Sequence, residues 1–281
     1  MNERKSVRWE GKGLHTGNPC TVEVVGGASP GLCFTFPGGE VYRVEEAKAV
    51  GDGRGSTLFF PNGITIRTVE HLLSALAGLG IWDAEIRVEG GEVPALDGSA
   101  ERFSQGLVSL AGTERGLKSR PLRVDAPVSV RDSRRKASLV VLPAESFGVS
   151  CVIDYPETWI GTQAYFCEQL DRTVYLEEIA KARTFCLDSE IEALQASGLG
   201  KGGDPCNTVI IGENGPLNPQ ALAYPDGCVR HKVLDLIGDL ALLGRPVVGH
   251  FIALRSGHGL HLSLVSRLRR ILEDTKAENR T

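Results

Sequence analysis

The chain has 281 residues, of which 42% are hydrophobic and 23% charged, and a formal net charge of −4. It lacks the basic excess of a nucleic-acid binder, and no run approaches the roughly 18 apolar residues of a membrane-spanning helix. The start, MNERKSVRWEG, has charge but no following apolar stretch, so it does not read as a secretory signal.

In chain order, alternating runs bounded by Gly, Pro and Asn predict strands at Thr21–Val25, Leu32–Phe36, Gly63–Ile66 and Ala84–Val88. Val69–Leu79 has apolar residues at helical spacing and stops at Gly80, a C-cap signal. Asp97-Gly-Ser-Ala100 opens another helix, with Asp97 or Ser99 placed to cap it. The polar, aperiodic stretch 113–121 predicts a boundary between an N-terminal unit, 1–118, and a C-terminal unit, 122–281. Strands are then expected at Ser138–Leu142 and Gly148–Ile153. Ser189 and Glu192 form the signature of a capping box for a short helix ending at Gly198, before the flexible loop 198–203. A strong helix at Val229–Leu243, a buried strand at Val247–Leu254 and a helix at Leu260–Leu272 close the chain.

The segments starting Glu70-His71 and Arg230-His231 share an apolar rhythm, and each precedes a strand. That echo hints at two halves of related topology, each a sheet covered by helices. The fold class is α+β. The seven cysteines, Cys20, Cys33, Cys151, Cys167, Cys186, Cys206 and Cys228, are odd in number, scattered and never spaced C-x-x-C. They read as reduced thiols, which places the chain in the cytoplasm. No obligate protein partner is evident.

His231, Asp235 and Asp239 recur every four residues and so share one helix face. Alone, they describe the solvent-facing polar stripe of any amphipathic helix. Glu70-His71 opens the other helix, and adjacent helical residues point about 100° apart. One can bind a metal while the other stands beside it as a base. His71 or His231 alone is an ordinary helix histidine. Together, His71, His231 and Asp235 make a three-ligand set that leaves the fourth position of a tetrahedral zinc open, as catalytic sites do. Zinc lowers the pKa of its water from ~15.7 to ~7 and polarises a carbonyl. Glu70 is the candidate base. His258, between Gly257 and Gly259, is either a turn residue or a proton donor oriented by Asp239. Lys232 and Thr184 are candidate donors to an oxyanion, or else a helix lysine and a strand threonine.

Seven segments, in order, are Gly11-Lys-Gly-Leu-His-Thr-Gly17, Thr68-Val-Glu-His-Leu-Leu-Ser-Ala-Leu76, Glu92-Val-Pro-Ala-Leu-Asp-Gly-Ser-Ala100, Ala182-Arg-Thr-Phe185, Gly198-Leu-Gly-Lys-Gly-Gly203, Arg230-His-Lys-Val-Leu-Asp-Leu-Ile-Gly-Asp239 and Ser256-Gly-His-Gly-Leu260. In this register the chain resembles the UDP-3-O-acyl-N-acetylglucosamine deacetylases of lipid A synthesis. The resemblance implies two domains, each a sheet stacked on two helices, with the site in the cleft between them. It implies Zn²⁺, or Fe²⁺ in the cell, on His71, His231 and Asp235. It implies Glu70 as general base and His258, backed by Asp239, as general acid, with Lys232 and Thr184 at the oxyanion. The implied ligand is an acylated UDP-amino sugar, its chain held by an insert at 183–205 through Phe185, Ile191, Leu194 and Leu199. A zinc amidase for another acetamido sugar, or a sugar-nucleotide-binding paralogue, are the competing readings. The chain departs from the family pattern at Asp204-Pro205-Cys206 and at His261, which is either a competing metal or proton-transfer group or, as the sequence favours, a surface helix residue.

Overall fold

A computed structural model describes residues 5–51, 54–110 and 120–278. The first part of the chain forms β1 (Ser6–Lys12), β2 (Pro19–Gly26), β3 (Leu32–Thr35), β4 (Val41–Arg43), β5 (Lys48–Gly51), β6 (Ser56–Phe59), β7 (Thr65–Ile66) and β8 (Ala84–Glu89), with helices α1 (Glu70–Gly78) and α2 (Glu101–Leu107). The second part forms β9 (Leu122–Arg123), β10 (Val128–Asp132), β11 (Ala137–Leu142), β12 (Phe147–Tyr155), β13 (Gly161–Cys167), β14 (Phe185–Leu187), β15 (Val209–Gly212), β16 (Gly215–Pro216) and β17 (Val247–Leu254). Its helices are α3 (Arg172–Val174), α4 (Ile191–Ala196), α5 (Gly227–Leu240) and α6 (His258–Glu278). The chain is α+β.

The echo in the sequence is a repeat in the fold. One sheet has the order β1-β2-β8-β3-β4 and the other β10-β11-β17-β12-β13. In each, two antiparallel pairs form first, and the last strand of the repeat enters between them. β8 runs antiparallel to β2 and parallel to β3; β17 runs antiparallel to β11 and parallel to β12. A helix precedes each central strand and another follows it. Each repeat also carries a small three-stranded sheet, β5-β6-β7 or β14-β15-β16, between its fourth strand and its first long helix.

Alternation explains the layering. Along β17, Val247, Gly249, Phe251 and Ala253 face the core, and the intervening residues are half-buried or exposed. Leu72, Leu73, Ala75 and Leu76 of α1 are fully buried, as are Val233, Leu234 and Leu236 of α5. The two helices pack on each other, and Gly238 marks their closest approach: a Cβ there would lie 2.0 Å from the carbonyl oxygen of Glu70.

Several boundaries move. The strand expected at Gly63–Ile66 shortens to Thr65–Ile66, because Gly63 (φ +83°) belongs to a turn closed by the Phe60 amide on the Ile64 carbonyl. No capping box joins Ser189 and Glu192. Instead a 3₁₀ turn at Asp188–Glu190 leads into α4, and the Glu190 carboxylate accepts from the Leu187 amide at 3.4 Å. The last helix begins at His258 rather than Leu260. Ser99 does serve the start of α2, its hydroxyl accepting from the Glu101 amide at 3.0 Å. The predicted boundary at 113–121 lies, up to residue 119, outside the described residues. All seven cysteines are free thiols. Among the described residues no helix is long and apolar enough to cross a membrane.

Candidate metal centre and active site

The stripe on α5 is buried, not solvent-facing: His231 and Asp235 are 2% exposed and Asp239 0%. It faces the first turn of α1. His231 Nε2 lies 3.3 Å and His71 Nε2 3.8 Å from Asp235 Oδ1, and the two imidazoles meet edge to face at 5.0 Å. His231 Nδ1 donates to the Ala182 carbonyl at 3.0 Å. A carbonyl only accepts, so the proton sits on Nδ1 and Nε2 turns a lone pair toward Asp235. Burial holds His71 down to about 3, and it lowers His231 as well, so both rings are neutral. Asp235 Oδ1 is buried without a hydrogen-bond partner. A buried carboxylate oxygen with no hydrogen-bond partner, facing the His231 lone pair and the His71 imidazole, is costly unless a cation sits among them. The ligand atoms all lie within 4.8 Å of one another, so the donor set fits a divalent ion.

Beside this triad stands a second cluster. Glu70 is 2% exposed, and burial pushes its carboxyl up to about 8. Its Oε2 accepts from the Ser56 amide at 3.0 Å. Asp239 Oδ2 accepts from His258 Nδ1 at 2.8 Å and from His261 Nδ1 at 2.7 Å, while Asp239 Oδ1 accepts from the Ser56 hydroxyl at 2.5 Å. Burial opposes charge on His258, but Asp239 and Asp235 outweigh it and raise the ring to about 10. His258 is therefore a charged donor, with Nε2 3.7 Å from Asp235 Oδ2. Lys232 reaches Asp235 Oδ2 at 2.9 Å and lies 5.5 Å from the centre of the Phe185 ring.

These groups open onto one cavity of about 810 Å³. Glu70, His71, His231, Lys232, Asp235 and His258 line its polar end. Thr184, Phe185, Ile191, Leu194 and Leu199 line it too, and the last three are the half-buried faces of α4 and its following turn. Asp239 does not reach the cavity and acts only through its hydrogen bonds.

The profile of the family described as UDP-3-O-acyl N-acetylglycosamine deacetylase matches residues 3–270. The chain belongs to this deacetylase family. Curated relatives carry the name UDP-3-O-acyl-N-acetylglucosamine deacetylase. One from Anaeromyxobacter sp. (strain Fw109-5) is 41% identical over 96% of this chain and 87% of its own length. Others come from Myxococcus xanthus (38%, 94% and 84%) and Phenylobacterium zucineum (40%, 92% and 89%).

In this family member the departures have defined places. Asp204 and Pro205 line the cavity wall, and the Asp204 carboxylate accepts from the Cys206 amide at 2.7 Å, closing a turn that leaves Cys206 exposed. His261 is not a surface residue. It is fully buried against Asp239, with Ser256 Oγ 3.0 Å from its Nε2. A helix start at His258 puts residue 261 on the same face as 258, which the i, i+3 rule could have signalled. Ser56 lies outside the segments quoted from the sequence, and His15 and Glu92 lie within two of them with no role assigned. His15 lines the cavity on the loop that Glu92 holds.

Glu92 is fully buried and accepts from the His15 amide (2.9 Å), the Thr16 amide (2.9 Å), the Thr16 hydroxyl (2.6 Å) and the Thr68 hydroxyl (2.8 Å). Thr68 sits at φ +55°, an uncomfortable conformation for a β-branched residue just ahead of α1. Glu92→Ala strands these donors and is expected to cost about 3 kcal/mol or more, seen as a lower urea midpoint at unchanged slope. An unchanged midpoint would show that the loop is held by other contacts.

Proposed function

We propose that the chain hydrolyses the N-acetyl group of UDP-3-O-(3-hydroxyacyl)-N-acetylglucosamine, releasing acetate, in lipid A biosynthesis. One observation carries the reading. His71 of α1 stands against His231 and the unpartnered Asp235 Oδ1 of α5, and Glu70 and His258 line the same cavity. His71, His231 and Asp235 would hold the metal, Zn²⁺ by preference and Fe²⁺ as an alternative for the same donors. When bound, such an ion supplies Lewis acidity at the amide carbonyl.

The chain's own groups divide the remaining work. Glu70, with its carboxyl near neutrality, takes a proton from the attacking water. His258 starts charged and delivers a proton to the amide nitrogen as the C–N bond breaks, giving acetate and a free amine. Asp239 keeps His258 charged and aimed. Lys232 and Thr184 line the cavity where they can donate to the developing oxyanion. Phe185, Ile191, Leu194 and Leu199 form the apolar wall for the acyl chain. We assign residues 1–118 and 122–281 to two domains with the site between them, because Glu70 and His71 come from one repeat and His231, Asp235 and His258 from the other. The free thiols fit a cytoplasmic location.

The test is acetate release by metal-loaded protein from the acylated sugar nucleotide and from the unacylated one, together with metal analysis. Fast release from the acylated substrate only is the expected result. Equal rates on both would remove the acyl chain from the recognition scheme, and no release from either would sink the reading.

A further inference from the structure

Ser56 belongs to the small sheet of the first repeat and is fully buried. Its amide donates to Glu70 Oε2 at 3.0 Å, its hydroxyl donates to Asp239 Oδ1 at 2.5 Å, and His258 Nδ1 lies 3.4 Å from that hydroxyl. One residue of the first repeat therefore touches the candidate base of its own repeat and the support of the candidate acid from the other.

We propose that Ser56 is a positioning residue of the deacetylation: its hydroxyl fixes the Asp239 carboxylate so that His258 is aimed into the cavity, while its amide fixes Glu70. The proposal rests on the function given above. A carboxylate can turn about its terminal bond, and only its contacts decide where it stops. Asp239 Oδ2 already accepts from both His258 and His261. The hydroxyl of Ser56 satisfies the remaining oxygen with a short, charge-assisted bond. Without it, Oδ1 is a buried acceptor with no donor, and the carboxylate gains by rotating toward whichever imidazole proton can serve both oxygens. His258 then leaves its line of approach to the leaving nitrogen. The amide arm works on Glu70: Ser56 N–H holds Oε2, and Oε1 lies on the Gly55 side, where an added Cβ would meet it at 2.8 Å.

The test uses full-length, metal-loaded protein. Ser56→Ala removes the hydroxyl and keeps the amide. It is expected to lower kcat for acetate release on the order of 10–100-fold with KM unchanged, because the loss lies in orientation and not in binding. The downfield Nδ1–H proton resonances of His258 and His261 should move in the same variant. Ser56→Thr keeps the hydroxyl and should retain the resonances and most of kcat. Wild-type kcat with unmoved resonances in Ser56→Ala would overturn the proposal, and so would a threonine variant as impaired as the alanine one. If the wild type releases no acetate, the function falls, yet the resonance comparison still decides whether Ser56 holds the cluster.

Discussion

Gly238→Ala is expected to separate the two halves of the metal centre. The added Cβ would lie 2.0 Å from the carbonyl oxygen of Glu70, 2.8 Å from its carbonyl carbon and 3.0 Å from its Cα. All three are backbone atoms in the first turn of a buried helix, so no flexible side chain can swing away. One helix must move by roughly an ångström or more. Overpacking of this kind costs about 3 kcal/mol or more, since it displaces packed elements rather than a rotamer. For a chain of this size that corresponds to a Tm lower by roughly 6–12 °C. The metal centre suffers beyond the stability loss. Gly238 lies three residues after Asp235 and seven after His231 on the face turned to α1, and His71 adjoins the blocked carbonyl. Pushing the helices apart lengthens the His71–Asp235 approach of 3.8 Å. Metal content after dialysis should therefore fall together with Tm. Unchanged values of both would show that the helices tolerate a wider spacing and that the contact is incidental.

Glu70→Gln should separate chemistry from architecture. Glutamine keeps the volume, and its amide oxygen can still accept from the Ser56 amide, now 3.0 Å from Oε2. The change costs only the ability to take a proton. General-base catalysis contributes about 10²–10⁴-fold, and kcat should fall by that factor. KM, metal content and Tm should hold, because Glu70 is not among the three grouped ligands. Retention of kcat would assign the base elsewhere in the cavity. Loss of metal together with kcat would instead make Glu70 part of the ion's surroundings.

The legible parts of this molecule were those with local periodicity. Apolar patterning marks β2, β3 and β8 of one large sheet and β11, β12 and β17 of the other but not the outer strands β1, β4, β10 and β13, and the spacing of His231, Asp235 and Asp239 marks one helix face. What that face meets was not legible. A polar stripe looks the same whether water or another helix covers it, and only the packing of α1 on α5 makes this one buried. Ser56 lies outside every segment that carries the resemblance, and Glu92 opens one of them with nothing local to show what it holds. The partners of the Ser56 amide and hydroxyl lie 14 to 202 positions away and those of the Glu92 carboxylate 24 to 77, and a serine in a strand or a glutamate in a loop is unremarkable on its own. His261 reads as a surface residue for a smaller reason: the apolar rhythm predicts a helix start at Leu260, two residues after the true start at His258, and so hides its relation to His258.

The repeated topology leads to one further conclusion. Numbering the second repeat 160 positions ahead of the first pairs His71 with His231 and Gly78 with Gly238, as the two matching segments require. The same offset pairs Glu70 with Arg230, Ala75 with Asp235 and Leu79 with Asp239. The imidazoles thus occupy matching positions in both halves, and every acidic group of the centre stands at a position the other half does not match. Glu70 is buried beside His71, whereas Arg230 pairs with Asp226 at 2.7 Å and Glu178 at 3.0 Å in a half-buried position. Two copies of either half, set face to face, would offer a pair of histidines but never a histidine pair with a single Asp235 on one side and a single Glu70 on the other. The asymmetry of the site, with one carboxylate from the first half and two from the second, comes from the positions where the two halves do not match.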